Sequence, residues 1–224
     1  MTLPTIETGF SAYDGQLDRI AEYIETIAPS LVTNRQSVPV FVESLTVVMV
    51  ARFEHFLTSL IAGGVRHRES VARAHFMRFG NPDELRVAES CDLKALIKMA
   101  RRRLSFRKQG KSIETIFAVL FEFSPWPSVG TFQTVNDLVL LRNLLVHEGD
   151  TVLAEQAAQA HHKALFTTRS YGEFAVCSVN YGVALPFLQT AMIALKNQAE
   201  HVRREFVSRP EWNEASSVRT NESA

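Results

Sequence analysis

Apolar residues recur every three to four positions along most of this chain, the period of an amphipathic α-helix. Leu17, Ile20, Ile24 and Ile27, behind Asp14 as a cap, predict a helix over about 15–28. A loose leader over 1–13 is expected to precede it, and Pro29 to stop it. Phe41, Leu45, Val48, Phe56 and Leu60 form a longer stripe starting near Ser37 and Pro39, with Gly63-Gly64 as the expected end. Residues 66–79 are basic with helical spacing and run into Gly80-Asn81-Pro82, a breaker. Asp92 caps a helix with Leu93, Leu96, Ile97 and Ala100 on one side. Ile113, Ile116, Phe117 and Leu120 predict a short helix over 112–122. After the loop 124–130, Thr134 and Asp137 approximate a capping box and open a helix over about 134–147, with Val135, Leu138, Leu141 and Leu145 along one face. Thr151–His162 forms another helix. Phe174–Val179 fits either a short strand or the start of the last helix, which runs to about Val207 with Pro186 at its start or at a kink.

Six to seven helices with at most one short strand make an all-α helical bundle the expected fold. One helical domain over 12–207 and a disordered polar tail over 208–224 complete the expected organisation. With 46% apolar and 21% charged residues in 224, the chain has the composition of a globular protein rather than a disordered one. The 24 basic and 24 acidic residues balance, so only local clustering of charge bears on nucleic-acid partners. Two distant cysteines, Cys91 and Cys177, give neither a thiolate metal site nor a disulfide scaffold. No secretory signal opens the chain, and runs such as Val47–Ala51 fall far short of a membrane span, so a cytoplasmic protein without membrane association is expected. Zinc-protease, P-loop and nucleophile-elbow motifs are missing, and no metal or cofactor is expected.

The sharpest chemistry lies in Leu141-Arg142-Asn143-Leu144-Leu145-Val146-His147-Glu148-Gly149. Histidine titrates near neutrality and serves as a proton donor or acceptor. Arginine stays charged and forks onto two phosphate oxygens. Asn143 and His147, four apart, share a helix face. Arg142 and His147, five apart, diverge by about 140° on a regular helix. Either the helix loosens near Val146, or the arginine wraps around, or a second copy of the helix completes the site.

This segment resembles the Arg-x4–6-His motif of the HEPN superfamily (higher eukaryotes and prokaryotes nucleotide-binding). In that family a polar residue often follows the arginine, as Asn143 does, and the histidine falls at a helix end. The helical context over 12–207 and the segment Ala51–Leu57 are similar to such domains. The resemblance implies a metal-independent endoribonuclease in which the RNA 2′-OH attacks the adjacent phosphate and leaves a 2′,3′-cyclic end. It implies that His147 handles protons, that Arg142 holds the phosphate and that Asn143 orients phosphate or histidine. It further implies a homodimer acting as a toxin or antiviral effector, with an antitoxin or defence-system partner. Other members of the family are non-catalytic modules that bind RNA, nucleotides or proteins, and that is the alternative reading. Helix-dipole preference for cations in a last turn gives the same residues a purely structural role.

The basic run 101–111 is the second candidate. Arg101, Arg102, Arg103, Arg107 and Lys108 are expected to track an RNA backbone, with Phe106 stacking on a base; a solvated helix end is the plainer alternative. Arg66-His67-Arg68 and Arg73–Arg78 are weaker RNA candidates. His55 fits a core edge or the surroundings of the site. The adjacent His161-His162 diverge by about 100° on a helix and make a poor metal pair.

Overall fold

A computed structural model describes residues 3–90, 92–102, 111–146, 151–171, 174–209 and 212. The protein is all-α. Among the described residues the order is α1 (Leu3–Thr33), a 3-10 turn (Arg35–Ser37), α2 (Val38–His67), α3 (Glu69–Phe79), α4 (Pro82–Glu89), α5 (Leu93–Arg102), α6 (Lys111–Phe121), α7 (Val129–Val146), α8 (Thr151–Ala158), a 3-10 turn (Lys163–Leu165), β1 (Phe166–Tyr171), β2 (Phe174–Val179) and α9 (Tyr181–Val207).

The described residues group into two compact units. One draws on residues up to Ala12, Glu54–Trp126 and the chain from Ala199 onward; the other on Tyr13–Phe53 and Pro127–Gln198. Three of the four divisions fall inside α1, α2 and α9, where no loop composition marks them; the fourth falls between Trp126 and Pro127, in the loop before α7.

In the first unit α3 packs on α4, α5 and α6. Its core is aromatic. Phe10 meets Phe56 edge-on with ring centroids 5.2 Å apart, and Phe121 meets Phe206 at 5.1 Å. Phe10 explains why the expected leader is instead the first turns of α1: it is fully buried, and a folded helix is the means of holding it there. Gly63-Gly64 does not end α2, which continues to His67. A Cβ on Gly64 would lie 2.5 Å from Phe121 Cζ and 2.6 Å from Cε1, so this glycine admits the ring of α6 rather than stopping a helix. Gly64→Ala is accordingly expected to destabilise the protein by about 1–3 kcal/mol, through overpacking against a ring that has no exposed side to move into. A lower urea midpoint at unchanged slope would register this, and an unchanged midpoint would refute it.

The Gly80-Asn81-Pro82 breaker also starts a helix that the apolar pattern does not announce. Asn81 accepts from the backbone N–H of Asp83 and Glu84, and Glu84 Oε2 accepts from Asn81 N at 2.9 Å, a complete capping box with Pro82 in the first turn. Asp92 caps α5 as expected, accepting from Lys94 N (2.8 Å) and Ala95 N (3.0 Å). Beyond Ser208 the chain is not wholly a tail: Trp212 is fully buried in this unit, and residues 213–224 lie outside the described residues.

In the second unit α7 packs on α8 and β2, and α8 on both strands. Pro29 lies inside α1, not beyond it; the hydroxyls of Thr26 and Ser30 donate to the Glu22 and Ile27 carbonyls near it. Two strands stand where at most one was expected. They pair antiparallel, Phe166 opposite Val179 and Tyr171 opposite Phe174. Asn180 N donates to Leu165 O (2.8 Å), closing the base of the hairpin. Tyr181 Oη donates to Glu43 (2.5 Å), and Lys196 pairs with Asp18 (2.6 Å).

Arg35–His67 is long and apolar enough in composition to cross a membrane, although no unbroken apolar run marks it. More than half (56%) of its apolar window is buried within the fold, so core packing accounts for that composition.

Candidate functional site

The motif is carried by α7, whose apolar residues surround the helix instead of forming one stripe. Val135, Leu138, Val139, Leu140, Leu141 and Leu144 are all buried, the pattern of a helix enclosed by its neighbours. The helix begins at Val129, earlier than the apolar stripe suggests. Ser128 Oγ accepts from Thr131 N (3.1 Å) at its start, and Thr134 is an interior residue whose hydroxyl donates to Gly130 O (3.0 Å).

Asp137 is therefore not a capping acid. Its carboxylate, 1% exposed, receives His161 N at 3.3 Å, His162 N at 2.7 Å and His162 Nδ1 at 2.9 Å. The His162 ring also lies against Phe187, with centroids 5.0 Å apart. A buried carboxylate needs such donors to offset its desolvation. The pair therefore fixes the turn after α8 onto α7 and sets the azimuth of α7. Asp137→Asn is expected to lower stability by about 2 kcal/mol, because an amide cannot accept from all three donors. Faster amide exchange at His161 and His162 would accompany it; wild-type exchange at both would rule out this anchoring role.

With that face locked inward, Arg142 and Asn143 emerge half-buried, one turn before Val146. Arg142 Nη1 donates to Asn143 Oδ1 at 2.9 Å. Arg142 makes no ion pair among the described residues. A partly desolvated guanidinium that commits one of its five donors among the described residues is suited to receive an anion, and a phosphate is matched to its fork. The neighbouring amide sets the plane of the fork. His147, the third motif residue, lies outside the described residues.

Of the basic run, Arg101 and Arg102 lie exposed at the end of α5, while Arg103, Arg107 and Lys108 lie outside the described residues. Arg101 and Arg102 border a recess of about 540 Å³ shared with Arg66, Lys94, Ile97 and Lys98. Lys94 and Lys98 are absent from the reading by basic runs. Their signal is periodic instead: they lie opposite the buried Leu96, Met99 and Ala100 of the same helix. The weaker candidates prove structural in part. Arg68 donates to Glu122 and to Leu120 O, and Arg73 to Glu69 and the carbonyls of Ala88 and Ser90. His55 is exposed, and His201 Nε2 lies 2.9 Å from Ser124 O.

Burial raises the Cys177 thiol above its ordinary range, against an opposing hydrogen bond with Thr168, so Cys177 is a poor thiolate nucleophile at neutral pH. Among the described residues no group of three or more His, Cys, Asp or Glu is placed to hold a metal ion.

No family model matches the chain, and neither a curated protein nor a solved structure is found to be similar to it.

Proposed function

We propose that this protein is a metal-independent endoribonuclease of the HEPN type, cutting RNA by attack of a 2′-OH on the adjacent phosphate. The observation that carries the reading is the half-buried Arg142 guanidinium, oriented by Asn143 and free of any carboxylate partner among the described residues. In the proposed reaction His147 takes the proton of the 2′-OH as the 2′-oxygen bonds to phosphorus. The bond from phosphorus to the 5′-oxygen breaks, and that oxygen takes a proton from water and leaves as a 5′-hydroxyl, while His147 later returns its proton to solvent. Arg142 holds the non-bridging oxygens, whose charge grows in the transition state. The nucleophile is part of the substrate, so the mechanism requires no metal.

A homodimer fits the 140° divergence of Arg142 and His147, because a second motif helix then supplies the complement. A cytoplasmic toxin or antiphage effector, restrained by an antitoxin or another defence-system protein, is the setting that goes with this activity. A non-catalytic RNA-binding module is the second reading, favoured by the basic recess of Arg66, Lys94, Lys98, Arg101 and Arg102.

Incubation of the purified chain with structured and unstructured RNAs in EDTA decides between them. The nuclease reading expects cutting that survives EDTA, leaves a 2′,3′-cyclic phosphate, and is lost in both Arg142→Ala and His147→Ala. Absence of cutting on every RNA, or cutting unchanged in both variants, would replace it with the binding reading.

A further inference from the structure

The recess in the first unit joins the last turn of α2 to the outer face of α5. Arg66 comes from α2; Lys94, Lys98, Arg101 and Arg102 come from α5; the buried Ile97 forms the floor. All five cations are exposed, and among the described residues no carboxylate lines the recess. Arg66, Lys94, Lys98 and Arg102 make no ion pair among the described residues. Arg101 donates Nε to Thr58 O at 3.3 Å, which ties α5 to α2, and its terminal nitrogens make no hydrogen bond among the described residues.

Two features separate this cluster from an ordinary solvated helix face. Arg66, Arg101 and Arg102 lie in last turns, where the helix dipole favours a cation. Lys94 lies in the first turn of α5, where the dipole disfavours one, and Lys98 stands four residues on, a like-charge pair that costs helix stability. In a chain with as many acidic as basic residues, this segregation of charge calls for an anionic partner. The second feature is linearity. Lys94, Lys98 and Arg101 or Arg102 follow one edge of α5 in steps of roughly 6 Å, over about 12 Å at 1.5 Å per residue. Such a row matches successive phosphates along one strand. A bilayer is a poor match, because an interfacial helix inserts an apolar face, and here Leu96, Ile97, Met99 and Ala100 are already buried in the core.

We propose that this recess is a track for the phosphate backbone of single-stranded RNA, with Lys94 and Lys98 as its central contacts. The choice of RNA over DNA rests on the nuclease reading above; the phosphate chemistry does not. Among the described residues that line the recess all the charged ones are cations and none is aromatic, so what they read is charge and spacing.

The test uses the full chain carrying His147→Ala, in EDTA, so that binding is read without cutting. Fluorescent U20 is titrated across a salt series. Four phosphate contacts, from Arg66, Lys94, Lys98 and one of Arg101 or Arg102, predict a slope of about −2.8 for log affinity against log salt on a single strand. Lys94→Ala with Lys98→Ala is expected to flatten the slope to about −1.4 and to weaken binding at least tenfold, with circular dichroism unchanged. Lys94→Arg with Lys98→Arg is expected to bind as the parent does. An alanine pair that binds U20 with the parent's affinity and slope would overturn the track, as would binding to phosphatidylserine vesicles but not to U20. Binding of dT20 as tight as that of U20 would overturn the assignment to RNA and keep the track. RNA binding that needs these lysines in a chain that never cuts would remove the nuclease reading alone.

Discussion

Replacing His147 with alanine is expected to slow RNA cleavage about 10²–10⁴-fold, the usual worth of general acid–base help. The loss should appear in the single-turnover rate, not in affinity, because proton transfer is made only in the transition state. Arg142→Lys separates two contributions of the arginine. Lysine keeps the positive charge but cannot fork onto two oxygens, and it loses the donation to Asn143 Oδ1 that sets the guanidinium plane. A rate between those of wild type and Arg142→Ala is the expected outcome. If Arg142→Lys cuts as fast as wild type, charge alone suffices and the Asn143 contact is incidental. If His147→Ala cuts as fast as wild type, the proposed proton carrier is wrong. The readout is clean because, among the described residues, the variant removes one hydrogen bond on a helix already held by Asp137 and by the buried Leu138, Leu141 and Leu144.

What this site owes to the sequence differs residue by residue. Arg142 and Asn143 are legible because their types and spacing carry chemistry whatever surrounds them. The lock behind them is not. Thr134 and Asp137 have the spacing of a cap, and only burial distinguishes a capping acid at a helix start from one that receives His161 and His162 across some 25 residues. The basic run at 101–103 is visible as a run, whereas Lys94 and Lys98 belong to the same surface by helical period and are interrupted in sequence by Ala95, Leu96 and Ile97. Local breakers mislead for a related reason. Pro29 and Gly63-Gly64 are read as stops from backbone propensity, about 1 kcal/mol for glycine and 3 for proline, yet both lie inside helices. At Gly64 the packing partner is identifiable as Phe121, so the glycine is required by a contact rather than by a turn. The α5 helix, by contrast, is read correctly from Asp92 onward because cap, period and burial agree there. The β1 strand, Phe-Thr-Thr-Arg-Ser-Tyr, is too short and too polar for an alternating pattern to stand out, and its pairing with β2 supplies the order that its composition does not.

Trp212 is the residue whose contribution to stability is least expected from its surroundings in sequence, and Trp212→Ala is expected to cost about 3–5 kcal/mol. Its ring lies 5.3 Å from both Phe121 and Phe206, edge-on to the latter, and 4.4 Å from His67. Arg68 stands 5.8 Å above it, held there by Glu122. Removing the indole opens a cavity among rings that are themselves fully buried and cannot collapse far to fill it. The denaturant midpoint of the first unit should fall accordingly, and a chain truncated after Ser208 should behave like Trp212→Ala. Trp212→Phe should recover much of the loss. Phenylalanine keeps an aromatic ring in the cluster and discards an indole Nε1–H that is buried without an acceptor among the described residues. If truncation and Trp212→Ala both leave the midpoint unchanged, the aromatic cluster of Phe121, Phe206 and Phe10 is self-sufficient. If Trp212→Phe is as damaging as alanine, the missing quantity is the volume of the indole rather than aromatic burial. Either result would be read directly at Phe121, the ring that Trp212 and Gly64 approach in common, so a Gly64→Ala, Trp212→Ala pair should depart from additivity: the cavity left by the indole gives Phe121 room to retreat from the new methyl group.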